Sequence, residues 1–263
     1  MSLIRLSDVS LSFPVYDSSS RSLKRHAISA MKLGRVTRDL ASRISTNASN
    51  RVSIHALRRI NLVIEHGTRL GLIGLNGAGK STLLHVIAGI YVPERGAVTV
   101  EGKVACMLGN SLGVDPELTG RENIELLGLY LGLSRTDIRE QLDDVIEFTQ
   151  LGPFIDMPFR TYSAGMRARL EFAILTSIHA DIVLMDEGIG TGDASFIEQA
   201  NQRLENLATG AGIVVLASHS EMLLRKTCTH GALLESGSIK VTGDIETVLE
   251  RYTASLTPER HQH

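Results

Sequence analysis

A chain of 263 residues, 43% hydrophobic and 21% charged, can bury a full core as one large domain or two smaller ones. No run approaches the roughly 18 apolar residues of a membrane span. Ser2 to Leu11 lacks the long apolar stretch of a secretory leader, and Cys106 and Cys228 stand too far apart to suggest a disulfide framework or a metal cluster, so the expectation is a soluble chain of the cytoplasm with both cysteines as small buried hydrophobes. The net charge of −2 hides an imbalance: residues 1–60 hold eleven Lys/Arg against three Asp/Glu, and the remainder is acidic.

In chain order, Ile4 to Phe13 alternates like a strand and Val52 to Ile64 reads as a second, ending in the turn Glu65-His66-Gly67. Between them lies an insertion at about 18–50. Its ends, 18–25 and 45–50, are polar, and from Arg21 to Ile44 the spacing is helical, with Leu33, Val36, Leu40 and Ile44 on one stripe and Lys32, Arg35, Arg38 and Arg43 largely elsewhere. Thr68 to Ile73 has the pattern of a buried strand, and Ser81 to Ala88 that of a packed helix. Pro93 to Gly96 is read as a turn, and Ala97 to Leu108 as short strands broken at Glu101-Gly102. Thr119 with Glu122, and Ser134 with Asp137, form capping boxes for helices over Arg121 to Leu131 and up to about Gln150. Tyr162 to Met166 opens a helix whose apolar face is Met166, Leu170, Ile174 and Ile178. Asp181 to Glu187 and Ile213 to Ala217 read as buried strands, and Ala232 to Val241 as a closing hairpin. Alternating strands and helices imply an α/β fold with a mainly parallel sheet.

The chemistry starts between the strand ending at Ile73 and the helix from Ser81. Gly74-Leu75-Asn76-Gly77-Ala78-Gly79-Lys80-Ser81-Thr82 fills G-x-x-x-x-G-K-[ST] without a mismatch, in the strand–loop–helix context that the motif requires. Glycines let backbone N–H groups converge on phosphates at the positive end of a helix dipole. Lys80 reaches toward β- and γ-phosphates, and the Ser81 hydroxyl suits the octahedral oxygen shell of Mg²⁺. A phosphate cradle needs a second metal ligand and a group to activate water. The apolar strand Ile182 to Met185 delivers Asp186 and Glu187 at its carboxyl end, Asp186 for Mg²⁺ and Glu187 as general base.

The order Gly74–Thr82, Tyr162–Met166, Asp186-Glu187, Asp193, His219 resembles the nucleotide-binding subunit of ABC transporters over essentially the whole chain. The family's usual Leu-Ser-Gly-Gly-Gln signature looks replaced by Tyr162-Ser163-Ala164-Gly165-Met166, which keeps the serine and the second glycine. By resemblance, Ser163 and Gly165 bind the γ-phosphate of ATP held by the other subunit of a head-to-tail homodimer, with the nucleotide sandwiched between chains. Asp193 is then the aspartate that crosses the dimer interface and His219 the switch histidine that senses γ-phosphate. The family's Q-loop falls near 108–110, where Gly109 stands at the expected position and Asn110 supplies a carboxamide that could reach the metal instead. For stacking on adenine the candidates are Phe13, at a strand end, and Tyr16, three residues on.

A narrower resemblance lies in Asp115-Pro116-Glu117-Leu118-Thr119-Gly120-Arg121-Glu122-Asn123-Ile124 and in Tyr-Ser-x-Gly-Met-x-Ala-Arg-Leu at 162–170, which look like the ATPases that export bacterial polysaccharides or lipid-linked glycans such as O-antigen, teichoic acid or cell-wall galactan. It implies one ABC ATPase domain over 1–263: a P-loop, RecA-like core with a mainly parallel sheet, an amino-terminal antiparallel β region with the P-loop (1–108), an inserted α-helical subdomain (about 109–178), and the rest of the core with a carboxyl-terminal hairpin and helix (about 179–263). The carboxyl-terminal carbohydrate-binding domain of some relatives is not expected. The implied partner is an integral membrane transport subunit, with the chain peripheral on the cytoplasmic face of the inner membrane. Residues 21–44 carry seven Lys/Arg against Asp39 alone, which suits either anionic headgroups and the transport subunit or a basic helix packed on the protein's own core. Nucleic acid is not expected there, because no aromatic lies in that stretch to stack a base. A soluble ABC-type ATPase acting on a ribosome or nucleic-acid complex is the alternative; it usually carries two cassettes or a long coiled coil. A small-molecule P-loop kinase would leave Ser163 without a role.

Overall fold

Strand β1 (Leu3–Val15) lies antiparallel to β3 (Val52–Glu65), with Leu3 opposite Glu65 and Val15 opposite Val52. The computed structural model describes residues 1–15, 43–46, 52–107, 113–177, 180–186 and 194–256. Tyr16, Gly109, Asn110, Ile178, Glu187 and Asp193, and the expected helix of the insertion up to residue 42, lie outside the described residues. By internal contacts the chain divides into two compact units, Gly102–Val214 (with Met1) and Ser2–Glu101 joined to Val215–His263.

In the second unit an antiparallel sheet runs in the order β2 (Ile44–Thr46), β3, β1, β5 (Arg95–Glu101). Alternation of Ile4, Leu6, Val9 and Leu11 with polar neighbours puts one face of β1 in the core, all four being buried. Register shifts accompany positive φ at Asp8 (51°) and Arg59 (47°), where the side chains of Asn61 and Ser10 take the freed N–H groups at 2.9 and 3.0 Å. Two sequence expectations change here. Residues 44–46, read as the end of a helix and the start of a linker, are an edge strand, because Ile, Ser and Thr can extend along β3 with Ile44 opposite Ile54. Arg95 and Gly96, read as a turn, already belong to β5; Gly96 at φ 85° sits where a Cβ would lie 2.4 Å from the Ser7 carbonyl oxygen.

The same unit carries a second group of strands. Strand β4 (Arg69–Ile73), buried from Leu70 onward, pairs parallel with β9 (His230–Glu235), which forms a hairpin with β10 (Ser238–Asp244). Helices α1 (Lys80–Ile87), α6 (Glu221–Thr227) and α7 (Ile245–Leu256) flank them. Gly71 leaves room for Leu224 and Ile245: a Cβ there would meet their δ-carbons at 2.9 and 3.2 Å. The boundary between units falls inside β8 (Ile213–Ala217), all five residues of which are buried.

The first unit contains β6 (Val104–Met107) parallel to β7 (Ile182–Asp186), and helices α2 (Gly120–Tyr130), α3 (Arg135–Thr149), α4 (Ala164–Ser177) and α5 (Ala194–Gly210). Both capping boxes form as expected. The core joins Ile124 and Leu127 of α2, Val145 of α3, Leu151, Ile155, Phe159 and Tyr162 of the connection, and Leu170, Ala173 and Ile174 of α4. Of the expected apolar face of α4, Leu170 and Ile174 are buried and Met166 is partly so. Helix α5, for which the sequence reading proposed nothing, buries Phe196 and Ala200 against Phe172 and Phe148, with the Arg203 guanidinium 4.5 Å over the Phe148 ring. Cys228 is buried and burial pushes its thiol up to about 12; Cys106 is only half-buried, contrary to expectation.

Candidate active site

The loop after β4 is built by sterics that only glycine satisfies. Gly74 (φ 149°) passes so close to β9 that a Cβ would sit 2.3 Å from the Leu234 carbonyl oxygen, and Gly79 (φ 111°) so close to β3 that one would sit 2.8 Å from the Ala56 carbonyl oxygen. Asn76 and Gly77 are exposed at the rim, while Ala78, Gly79 and Lys80 are buried. Lys80 opens α1, is 6% exposed, and turns its ammonium back to donate to the carbonyl oxygens of Gly74 (2.7 Å) and Leu75 (3.2 Å). Ser81 is exposed in the first turn of α1 and Thr82 is half-buried beside it. The N–H of Ala78 donates to Leu75 (3.0 Å) and that of Gly237, in the β9–β10 turn, to Ala78 (2.9 Å). With its carbonyl oxygens held this way, the loop offers N–H groups and a buried cation, the arrangement that receives a phosphate chain at a helix start.

Phe13 is 38% exposed at the end of β1 and meets Tyr91 edge-on at 5.3 Å; Tyr91 in turn stacks on His85 of α1 at 5.1 Å. Tyr91 had no role in the sequence reading, since a lone aromatic after a helix carries no signal there. His219 is exposed just after β8, next to Ser218, whose hydroxyl accepts from the Ser220 N–H at 3.1 Å.

The first unit carries the other candidates. Ser163 precedes α4, exposed, with its hydroxyl accepting from the Met166 N–H at 3.3 Å. Nothing lies within 4 Å of where a Cβ on Gly165 would stand, so the start of α4 is open. Behind it the connection is rigid. Tyr162 donates to the Phe154 carbonyl at 2.7 Å, and Arg167 donates to the carbonyls of Tyr162 and Arg160, both at 3.1 Å. Asn123, fully buried, accepts from the Asp115 N–H at 2.9 Å and donates to the carbonyls of Asp115, Leu118 and Thr119, so one carboxamide shapes the whole turn before α2. Asp186 is half-buried at the carboxyl end of β7, where the strand pattern put it. Among the described residues, no group of three or more His, Cys, Asp or Glu could hold a metal by itself, and no helix is long and apolar enough to cross a membrane.

Residues 57–190 match the ABC transporter family model. Over 239 residues the chain is 40% identical to the O-antigen export system ATP-binding protein RfbE of Yersinia enterocolitica, covering 91% of this chain and 97% of that one. The chain belongs to the ABC transporter family. It is also 38% identical to the teichoic acids export ATP-binding protein TagH of Lactococcus lactis, over 80% of its own length but only 45% of that relative's. Among solved structures, a dimeric ATP-binding cassette in a post-hydrolysis state bound to ADP and Pi superposes with a TM-score of 0.67 at 19% identity, over 92% of this chain and 98% of that one, and shares the fold. Family membership makes the chain an ATPase, with ATP as its nucleotide.

Proposed function

We propose that this chain powers export of a polysaccharide or lipid-linked glycan, acting at the cytoplasmic face of the inner membrane on a separate membrane-spanning subunit. The observation that carries the reading is the cradle itself, with Lys80 buried at the start of α1, in a chain akin over nearly its full length to an O-antigen export protein. Lys80 and the N–H groups of Gly77 to Thr82 bind the β- and γ-phosphates of ATP. Phe13 or Tyr16 stacks on the adenine, and residues 21–44 face the membrane surface or the transport subunit.

The oxygen donors fit Mg²⁺: Ser81 offers an exposed hydroxyl and Asp186 a half-buried carboxylate, both hard ligands. Asn110 is a further donor by its side-chain type. Bound there, Mg²⁺ would neutralise charge on the phosphates. Glu187 orients and deprotonates the attacking water, and His219 contacts the γ-phosphate. Two chains pair head to tail, so that Ser163, Gly165 and Asp193 of one act on ATP held by the other; a solved cassette that shares this fold is dimeric, which supports the pairing.

Glu187→Gln tests the chemistry. ATP binding should persist while turnover falls about 10²- to 10⁴-fold, the usual contribution of a positioned base. Hydrolysis at the wild-type rate would remove Glu187 from the mechanism. Co-purification from detergent-solubilised membranes tests the partner: a multi-span protein is expected, and ribosomal proteins in its place would contradict export.

A further inference from the structure

Arg43 stands among the basic residues of the insertion, and its surroundings are not those of a surface cation. The residue is 7% exposed. Its Nε donates to the His55 carbonyl oxygen at 2.9 Å and one terminal nitrogen to that of Ala56 at 3.4 Å, both on β3. The other terminal nitrogen donates to the carbonyl oxygen of Gly77, in the middle of the phosphate loop. The backbone of Arg43 is held as well, since its carbonyl accepts the His55 N–H at 2.8 Å and β2 continues the pairing from Ile44.

The loop has a particular need at Gly77. For its N–H groups to point at an anion, its carbonyl groups must be turned away and given donors elsewhere. Lys80 serves Gly74 and Leu75, and the Gly237 N–H serves Ala78. Gly77, exposed and at φ 78°, is the most freely turning point of the loop, and Arg43 is what holds its carbonyl. A planar guanidinium can bind three carbonyl oxygens at fixed angles, and it leaves a full positive charge against the Gly77 peptide of the loop. Lysine keeps the charge, but its one compact ammonium cannot span three carbonyl oxygens at fixed angles.

We propose that Arg43 is a positioning residue for ATP: it locks the Gly77 peptide in the orientation that binds phosphate and tethers the end of the basic insertion to the nucleotide loop. This rests on the cradle reading given above. Its consequence is that the effect of Arg43 falls on nucleotide affinity, while the turnover of bound ATP is left to other residues.

The test uses the full chain and four proteins: wild type, Arg43→Ala, Arg43→Lys and, as a control on the cradle, Lys80→Ala. ATP and ADP affinities are measured by calorimetry, KM and kcat by phosphate release, and nucleotide-free unfolding by circular dichroism. Arg43→Ala should weaken both nucleotides roughly ten- to hundredfold, the scale of a lost hydrogen bond to a charged group. KM should rise correspondingly, with kcat within about threefold of wild type. Arg43→Lys, which keeps the charge and stays folded more readily, should recover only part of the affinity. If Lys80→Ala abolishes binding and both Arg43 variants bind ATP within about twofold of wild type, the proposal is wrong and the cradle stands. A lowered unfolding midpoint with unchanged affinity would likewise reduce Arg43 to a structural strut. Wild-type protein that binds no ATP would overturn both readings.

Discussion

The ammonium of Lys80 lies 2.7 Å from the carbonyl oxygen of Gly74, closing the loop between β4 and α1 on the first side chain of the helix that follows it. In this position the cation is buried and satisfied, and on the function proposed above it exchanges loop carbonyls for phosphate oxygens when ATP enters. Lys80→Met keeps the stem of the side chain and removes the charge. ATP affinity should fall by about a hundredfold or more, because the phosphates lose a desolvated counter-ion, while the circular dichroism spectrum is retained. Calorimetric titration with ATP checks it.

Gly237 lies outside every sequence motif, yet its N–H holds Ala78 and a Cβ on it would stand 2.5 Å from the Ala56 carbonyl oxygen at φ 77°. Gly237→Ala should destabilise the protein by about 1–3 kcal/mol and raise the KM for ATP. Gly243→Ala, with nothing within 4 Å of the new methyl, is the matched control and should change neither. Urea unfolding and steady-state kinetics on both variants decide it.

Motifs defined by backbone geometry were legible in the sequence, and contacts made by single side chains were not. The glycines of the cradle, both capping boxes and the buried strands ending at Ile73, Asp186 and Ala217 follow from local chemistry, and each stands where its pattern put it. Arg43 was hidden because a buried arginine and a solvated one look alike in a basic run; only the register of β2 on β3 brings it to Gly77. Gly237 was hidden for a similar reason, since its role depends on β3 crossing behind the hairpin turn. Helix α5 carries small Ala200 where a larger apolar residue would have marked the buried face, and α6, at seven residues, is too short for periodicity to register.

Asn123 fastens the turn from Asp115 to Thr119 through four hydrogen bonds made by one fully buried side chain. Asn123→Ala should cost about 2–4 kcal/mol, because it removes a fully buried carboxamide and with it all four hydrogen bonds that hold the turn. Limited proteolysis should show earlier cleavage between residues 113 and 119 than in wild type. Unchanged protection would contradict the role assigned to this carboxamide.

Acid should loosen the helical part of the first unit. The backbone N–H and then the hydroxyl of Thr119 hold Glu122 below the usual carboxylate range, the hydroxyl and then the N–H of Ser134 do the same for Asp137, and the Arg121 guanidinium does so for Asp156. A carboxylate whose folded-state value is depressed stabilises the fold above its unfolded value, and that contribution disappears as the pH falls through the folded one. The unfolding midpoint should therefore drop between neutral pH and values below about pH 4. In the double variant Glu122→Gln, Asp137→Asn, the drop should be smaller. An identical pH profile for variant and wild type would show that the caps do not depend on charge.

The central claim, that ATP is hydrolysed in sites shared between two chains of this protein, is tested most directly by mixing two dead variants. Lys80→Ala removes the cradle cation, and Ser163→Arg blocks the open start of α4, where a γ-phosphate from the other chain would dock. Each alone should be inactive. Combined in equal amounts, half of the dimers are mixed and each mixed dimer has one intact site, so ATPase activity should return to about a quarter of wild type. No recovery at any mixing ratio would mean that the site is complete within one chain.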